Sequence, residues 1–385
     1  MRTPGSLKFL IVAIGGLATA VAACLAGAAP GVLILESELR AQPFSDAPSL
    51  AMLKRDLRID IVRRDGGWIE LSAGSDRGWV RALNVRYETP SMPSTRADPG
   101  IGTDARKPIP ALTFDDEALR AVSPNAAALA GLAAYAASAD DARKFALDAK
   151  LVPHEVPYIF GSQPRPFVRD RDRSAQTLPE EGAEVAAILL RAISPVADEA
   201  VQRYVNRVGA WLVQQTVSIP PAGADAAQAP AAGAPSQKWL FGVLDSAAVR
   251  GFAIPGNYVF LTRGLYDRLQ NESELAAVLA REIGHILKGT FLGALRRQAA
   301  VLTYTPHLST ESDADRIGVV LAARAGYDAY GLTIFLANVA VETRVGAQRT
   351  PYAEREDALA KSMGTEFEQY ADGKTLAARM VRLKN

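Results

Sequence analysis

The sequence predicts an α+β protein in which an all-β unit, a helical connector and a larger mixed unit follow one another. Three observations carry this. Short runs of alternating apolar and polar residues lie between about Ala51 and Tyr87, separated by Gly- and Asp-rich turns. An alanine-rich stretch over residues 115–150 has helical spacing, and from about Glu180 helical periodicity surrounds only a few strand-like segments. The 385 residues leave room for more than one domain. A formal net charge of +1, with no basic stripe interleaved with aromatics, gives no reason to expect a nucleic-acid partner.

The N-terminus reads as an export signal. Arg2 and Lys8 form a positive start, and Phe9 to Leu35 carries no charge over 27 residues. Within it, Val21-Ala22-Ala23-Cys24 resembles a bacterial lipobox, so Cys24 is the lipidation candidate and the favoured reading is a lipoprotein. The alternatives are a cleaved secretory signal or an uncleaved anchor long enough to span a bilayer. All three place the folded part outside the cytoplasm, in the periplasm, with the membrane as partner of the N-terminus. Cys24 is the sole cysteine, which rules out an intrachain disulfide.

The strand-like runs are Leu57 to Val62, Trp68 to Leu71 and Gly78 to Val80. The pattern Gly66-Gly67-Trp68 … Gly78-Trp79-Val80 resembles a bacterial SH3-like domain over about residues 45–90. That resemblance implies a small barrel and, as ligands, peptides or peptidoglycan. Trp68 and Trp79 would line its groove or, equally, fill its core.

Residues 91–179 read as linker and helical connector, with the mixed-charge run Arg169 to Arg173 as a solvated loop. Residues 180–385 form the third unit. It opens with one long amphipathic helix pattern from Val185 to Val208 and carries a Pro/Ala-rich flexible insertion at 220–236. Trp239 to Leu244 and Phe252 to Thr262 read as strands, the second interrupted by the turn Pro255-Gly256-Asn257.

The chemistry centres on Arg281-Glu282-Ile283-Gly284-His285. The pattern H-E-x-x-H on a helix puts two imidazoles on one face for zinc, with the glutamate between them as general base. Here the glutamate and second histidine are present, but the first ligand is an arginine, which has no lone pair to give. Asn271 and Glu274 look like the N-cap and third residue of a capping box opening this helix. A second helix begins near Glu311, places Asp315 one turn on, and ends at Gly326. Only His154, His285 and His307 could supply imidazole.

Several motifs occur in one order: Ile254 to Phe260, Thr262 to Leu265, Asn271 to Leu279, Glu311 to Asp315, and Ala325 to Asp328. With them the chain resembles zinc metallopeptidase family forty-eight, the HtpX/BepA/Oma type, over about half its length. The resemblance implies a zincin-like, mostly helical metallopeptidase domain with a small sheet. It implies His285 and Glu311 as zinc ligands, Glu282 as general base, Asp315 as orienter, and the strand at Tyr258, Val259 and Phe260 as the edge that takes up extended polypeptide. Departures stand at Arg281, at Arg250-Gly251, and at Thr350-Pro351, where a histidine is missing.

Three readings follow. The favoured one keeps the fold and loses or impairs hydrolysis, with Arg281 pairing Glu311 or Glu282 where zinc would have been. The protein then grips extended or unfolded envelope polypeptides as a quality-control factor. The second is an active zinc metalloendopeptidase in which His307 substitutes as a ligand. The third assigns the main activity to cell-wall or peptide binding by the SH3-like unit. Zinc is the cofactor if there is one. No G-x-S-x-G elbow supports serine chemistry.

Overall fold

The computed structural model describes residues 29–43, 47–65, 68–87, 123–156, 177–216, 238–291, 302, 308–342, 351–363, 367, 370 and 373–383. Cys24, His307, the mixed-charge run at 169–173, Thr350 and the 220–236 insertion lie outside these residues.

The all-β unit is an antiparallel sheet of seven strands. They are β1 (Ala29–Leu33), β2 (Ser37–Arg40), β3 (Ser49–Leu53), β4 (Arg58–Asp65), β5 (Trp68–Ala73), β6 (Asp76–Arg81) and β7 (Val85–Tyr87). The order is β3-β2-β6-β5-β4-β1-β7, so β3 and β7 stand at the two ends and the sheet is open, where the sequence suggested a barrel. Alternation sends Ile59, Ile61, Ile69, Leu71 and Val80 to one buried face. β1 comes from residues that read in sequence as part of the 1–35 export segment. An uncharged apolar run suits a central strand as well as an anchor, and here it pairs with both β4 and β7.

The connector contains α1 (Ala126–Ala133) and α2 (Ala139–Asp148). The single long helix expected from Val185 to Val208 is instead two, α3 (Thr177–Ala192) and α4 (Glu199–Gln214). Pro195 cannot continue a helix, and it bridges to Leu244 while Asp198 caps α4 by accepting from Ala200 and Val201 N–H.

A small sheet follows, with β8 (Leu240–Leu244), β9 (Gly251–Ile254) and β10 (Tyr258–Thr262) in the order β8-β10-β9. The outer side of β8 is finished by two amides from α4 rather than by another strand. Gln202 exchanges hydrogen bonds with the backbone N–H and C=O of Val243 at 3.0 and 2.9 Å. Asn206, one turn on, does the same for Phe241 at 3.0 and 2.7 Å. Carboxamides at i and i+4 thus satisfy alternate residues of a buried strand edge.

The remaining helices are α5 (Arg263–Tyr266), α6 (Glu272–Lys288), α7 (Leu308–Arg324), α8 (Gly331–Glu342) and α9 (Pro351–Met363). α6 is the central element, and twelve of its first thirteen residues are among those buried. Its start is the predicted capping arrangement with one change. Asn271 accepts from Glu274 N–H at 2.9 Å, while the Glu274 carboxylate accepts from Gln270 N–H at 2.9 Å and from the Asn271 side-chain amide at 3.0 Å.

Glu272, fully buried, accepts from the hydroxyls of Tyr204 and Tyr327 at 2.9 and 2.8 Å and lies 3.2 Å from Arg379 Nε. This network ties α4, the chain beyond α7 and the C-terminal segment to the first turn of α6. Burial raises the Glu272 pKa, against the pull of Arg379 and the two hydroxyls. Among the described residues, no helix is long and apolar enough to cross a membrane.

Candidate functional site

α6 and α7 cross closely because glycines stand at the contact. A Cβ at Gly318 would sit 3.0 Å from the Arg281 backbone nitrogen, and one at Gly284 would sit 3.0 Å from the Ala314 carbonyl. This approach brings Arg281, Glu282 and His285 of α6 against Glu311 and Asp315 of α7, which share a face one turn apart.

The Arg281 guanidinium lies at the middle of the group. Its Nη1 donates to Glu282 Oε1 and its Nη2 to Glu311 Oε2, while Nε is 3.2 Å from Asp315 Oδ1. One planar cation therefore contacts three carboxylates through its three nitrogens, a geometry that lysine could not reproduce. A second cation comes from α9. Arg355 donates to both oxygens of Asp315, at 3.0 and 2.5 Å, and its Nε is 3.4 Å from Glu311. Sequence reading missed Arg355. Its available signal was its place one turn after Pro351, itself suited to the first position of a helix.

These contacts set the charge states. Burial opposes ionisation of Glu311, but Arg281 and Arg355 outweigh it and hold its pKa down to about 2. Burial lowers the His285 pKa well below the usual value, and the facing Arg281 adds to this, so the imidazole is neutral at pH 7. Burial raises the Glu282 pKa, with repulsion from Glu311 and Asp315 working in the same direction against Arg281 and Arg355.

His285 Nδ1 is 3.2 Å from Thr290 Oγ1. Its Nε2 is 3.7 Å from Glu311 Oε1 and is buried without a hydrogen-bond partner among the described residues.

Arg281, Glu282, His285, Glu311 and Arg355 line a cavity of about 410 Å³ whose wall also includes Arg250, Gly251 and Phe252 of the β9 region and Phe335 of α8, while Asp315 lies behind it. Three of the positions that depart from the family's pattern, Arg281, Arg250-Gly251 and Pro351, thus meet at one cavity. The edge-strand expectation needs correcting. Tyr258, Val259 and Phe260 belong to β10, which is paired with β8 on one side and β9 on the other, so it is the central strand. Among the described residues, β9 is the outer strand that borders the cavity. Sheet order depends on contacts distant in sequence, and alternation alone cannot supply it.

Trp68 and Trp79 lie on the opposite face of the N-terminal sheet from its aliphatic core, at 8% and 6% exposure. Arg81 stacks over Trp68 at 5.5 Å and Arg63 over Trp79 at 4.6 Å, with Glu70 accepting from Arg63 and Arg77. This unit touches the site's own helices. β7 packs beside α8, and Arg55 lies 3.5 Å from Asp357 of α9.

Residues 222–309 match the profile of Peptidase family M48. Over that stretch the chain is similar to the family. Relatives of the chain include proteins named beta-barrel assembly-enhancing protease. The one from Yersinia pestis is 26% identical over 196 residues, 40% of this chain and 36% of that protein. The one from Escherichia coli strain K12 is 24% identical over 226 residues, 46% of this chain and 43% of that protein. The chain therefore spans less than half the length of these relatives. The M48 match takes in all of α6 and the small sheet, and it stops just before Glu311.

The resemblance to M48 peptidases implies zinc, and the described side chains do not fit it. Three protein ligands are needed, and at the first of the expected positions stands a cation, Arg281, already bonded to Glu311, another of the expected ligands. Among the described residues, no three His, Cys, Asp or Glu side chains are grouped so that they could hold a metal ion.

Proposed function

We propose that this chain is an exported envelope protein that binds extended or unfolded polypeptide at the α6/α7 cavity without hydrolysing it, as a quality-control factor. The observation that carries this is the Arg281 guanidinium, bonded at once to Glu282 and Glu311, the residues matching the general base and a zinc ligand. A fixed cation neutralises the carboxylates, as zinc would, but it has no open coordination position at which to activate water. Partly apolar walls and the adjoining β9 strand suit an extended segment carrying large apolar side chains. The names of the relatives support the envelope setting, and the N-terminal signal reading supports export to the periplasm as a lipoprotein at Cys24.

The test is binding of a fluorescent, permanently unfolded polypeptide, followed by anisotropy and by gel for fragments. The expected result is saturable binding with the polypeptide intact. Widening the cavity wall with Phe335→Ala should weaken binding about tenfold or more, in line with loss of a buried aromatic contact. Binding unchanged by Phe335→Ala, with the variant folded, would place the polypeptide elsewhere. Cleavage by the native chain would remove the non-hydrolytic reading.

A further inference from the structure

We infer that Gly251 is the positioning partner of Arg281, and that the two together fix the Glu282 carboxylate against strand β9. A Cβ built on Gly251 would meet Glu282 Oε1 at 2.3 Å and Cδ at 2.8 Å. Both atoms belong to the end of a flexible side chain, which ordinarily swings aside from an added methyl at little cost. Here it cannot do so freely. Glu282 is 2% exposed, and the oxygen that the methyl would strike is the one that accepts from Arg281 Nη1.

Any rotation that makes room for a methyl breaks that ion pair and leaves a guanidinium bond unmade inside a closed site. The absence of a side chain at 251 is therefore part of the arginine arrangement. It explains why the departures at 251 and 281 occur in the same chain, on elements 30 residues apart in sequence. Arg250 belongs to the same arrangement. Its charge acts on Glu282, while its Nη2 donates to the Leu302 carbonyl at 2.7 Å and its guanidinium lies 4.9 Å from the Phe252 ring. The inference concerns the internal fit of the site and stands whether or not the cavity takes polypeptide.

The experiment is a thermal-denaturation cycle on the full chain, with Gly251→Ala placed in three backgrounds: native, Glu282→Ala and Arg281→His. In the native background Gly251→Ala should lower Tm by roughly 3–6 °C. In Glu282→Ala the methyl meets empty space, and in Arg281→His the carboxylate is free to turn, so in both the loss should shrink to about 1 °C or less. If the native Gly251→Ala chain does not fold, recovery of folded protein in the Glu282→Ala background is the expected rescue. An equal loss in all three backgrounds would show that Gly251 serves the strand alone, and no loss in the native background would show that Glu282 is not held. Either outcome overturns the inference.

Discussion

Arg281→Ala destabilises the protein by about 3–5 kcal/mol, the usual cost of removing one partner from a buried ion cluster. The substitution deletes the cation shared by Glu282, Glu311 and Asp315, all of them largely withdrawn from water. The three carboxylates then face one another with Arg355 as the one directly contacting cation among the described residues. Part of the loss is recovered by protonation, and Glu282 is first in line because burial already raises its pKa. The penalty is therefore present above the raised pKa and diminishes as pH falls through it.

Arg281→Lys should lie between the native chain and the alanine variant. An ammonium keeps the charge, but it cannot place three nitrogens in one plane toward three acceptors. Urea denaturation at pH 7 checks both, and a loss below about 1 kcal/mol for Arg281→Ala would mean that the guanidinium is not what holds the cluster.

Arg355→Ala is the second large effect, about 2–4 kcal/mol. Asp315 has no exposed surface, and it accepts two hydrogen bonds from Arg355, which lies on a different helix. Truncation leaves that carboxylate, among the described residues, with only the oblique contact to Arg281 Nε, and it removes a link between α9 and α7. In a cycle with Asp315→Ala, the double variant should lose clearly less than the sum of the singles, because each single strands a buried charge that the double does not. Strict additivity would show that the two side chains do not act as a pair.

Much of this could be read from local sequence, because local chemistry decides it. Asn271 and Glu274 announce the start of α6, Gly326 in its left-handed conformation (φ 85°) marks the chain just past α7, and alternation marks β4 to β6. The fork of Arg281 and the one-turn spacing of Glu311 and Asp315 make the central charges legible in the sequence. What could not be read depends on contacts between distant segments. The central place of β10 comes from a parallel pairing with β8, which no periodicity encodes.

The division of α3 from α4 lay within reach at Pro195, but the apolar spacing on either side of it runs on in phase. Ala29–Leu33 reads as membrane-like because a buried central strand and an anchor share one composition. Arg355 and Gly251 gain their meaning only from what faces them. One supplies a cation from a third helix, and the other matters for a side chain it lacks.

The most direct test of the central claim, that Arg281 stands where the family implies a metal ligand, is the zinc content of the purified full-length chain after incubation with zinc and dialysis, measured beside its action on an unfolded polypeptide. The expected result is well below one zinc per chain and no cleavage. One tightly retained zinc per chain with cleavage would contradict it, and would point instead to a site built from His285, Glu311 and His307.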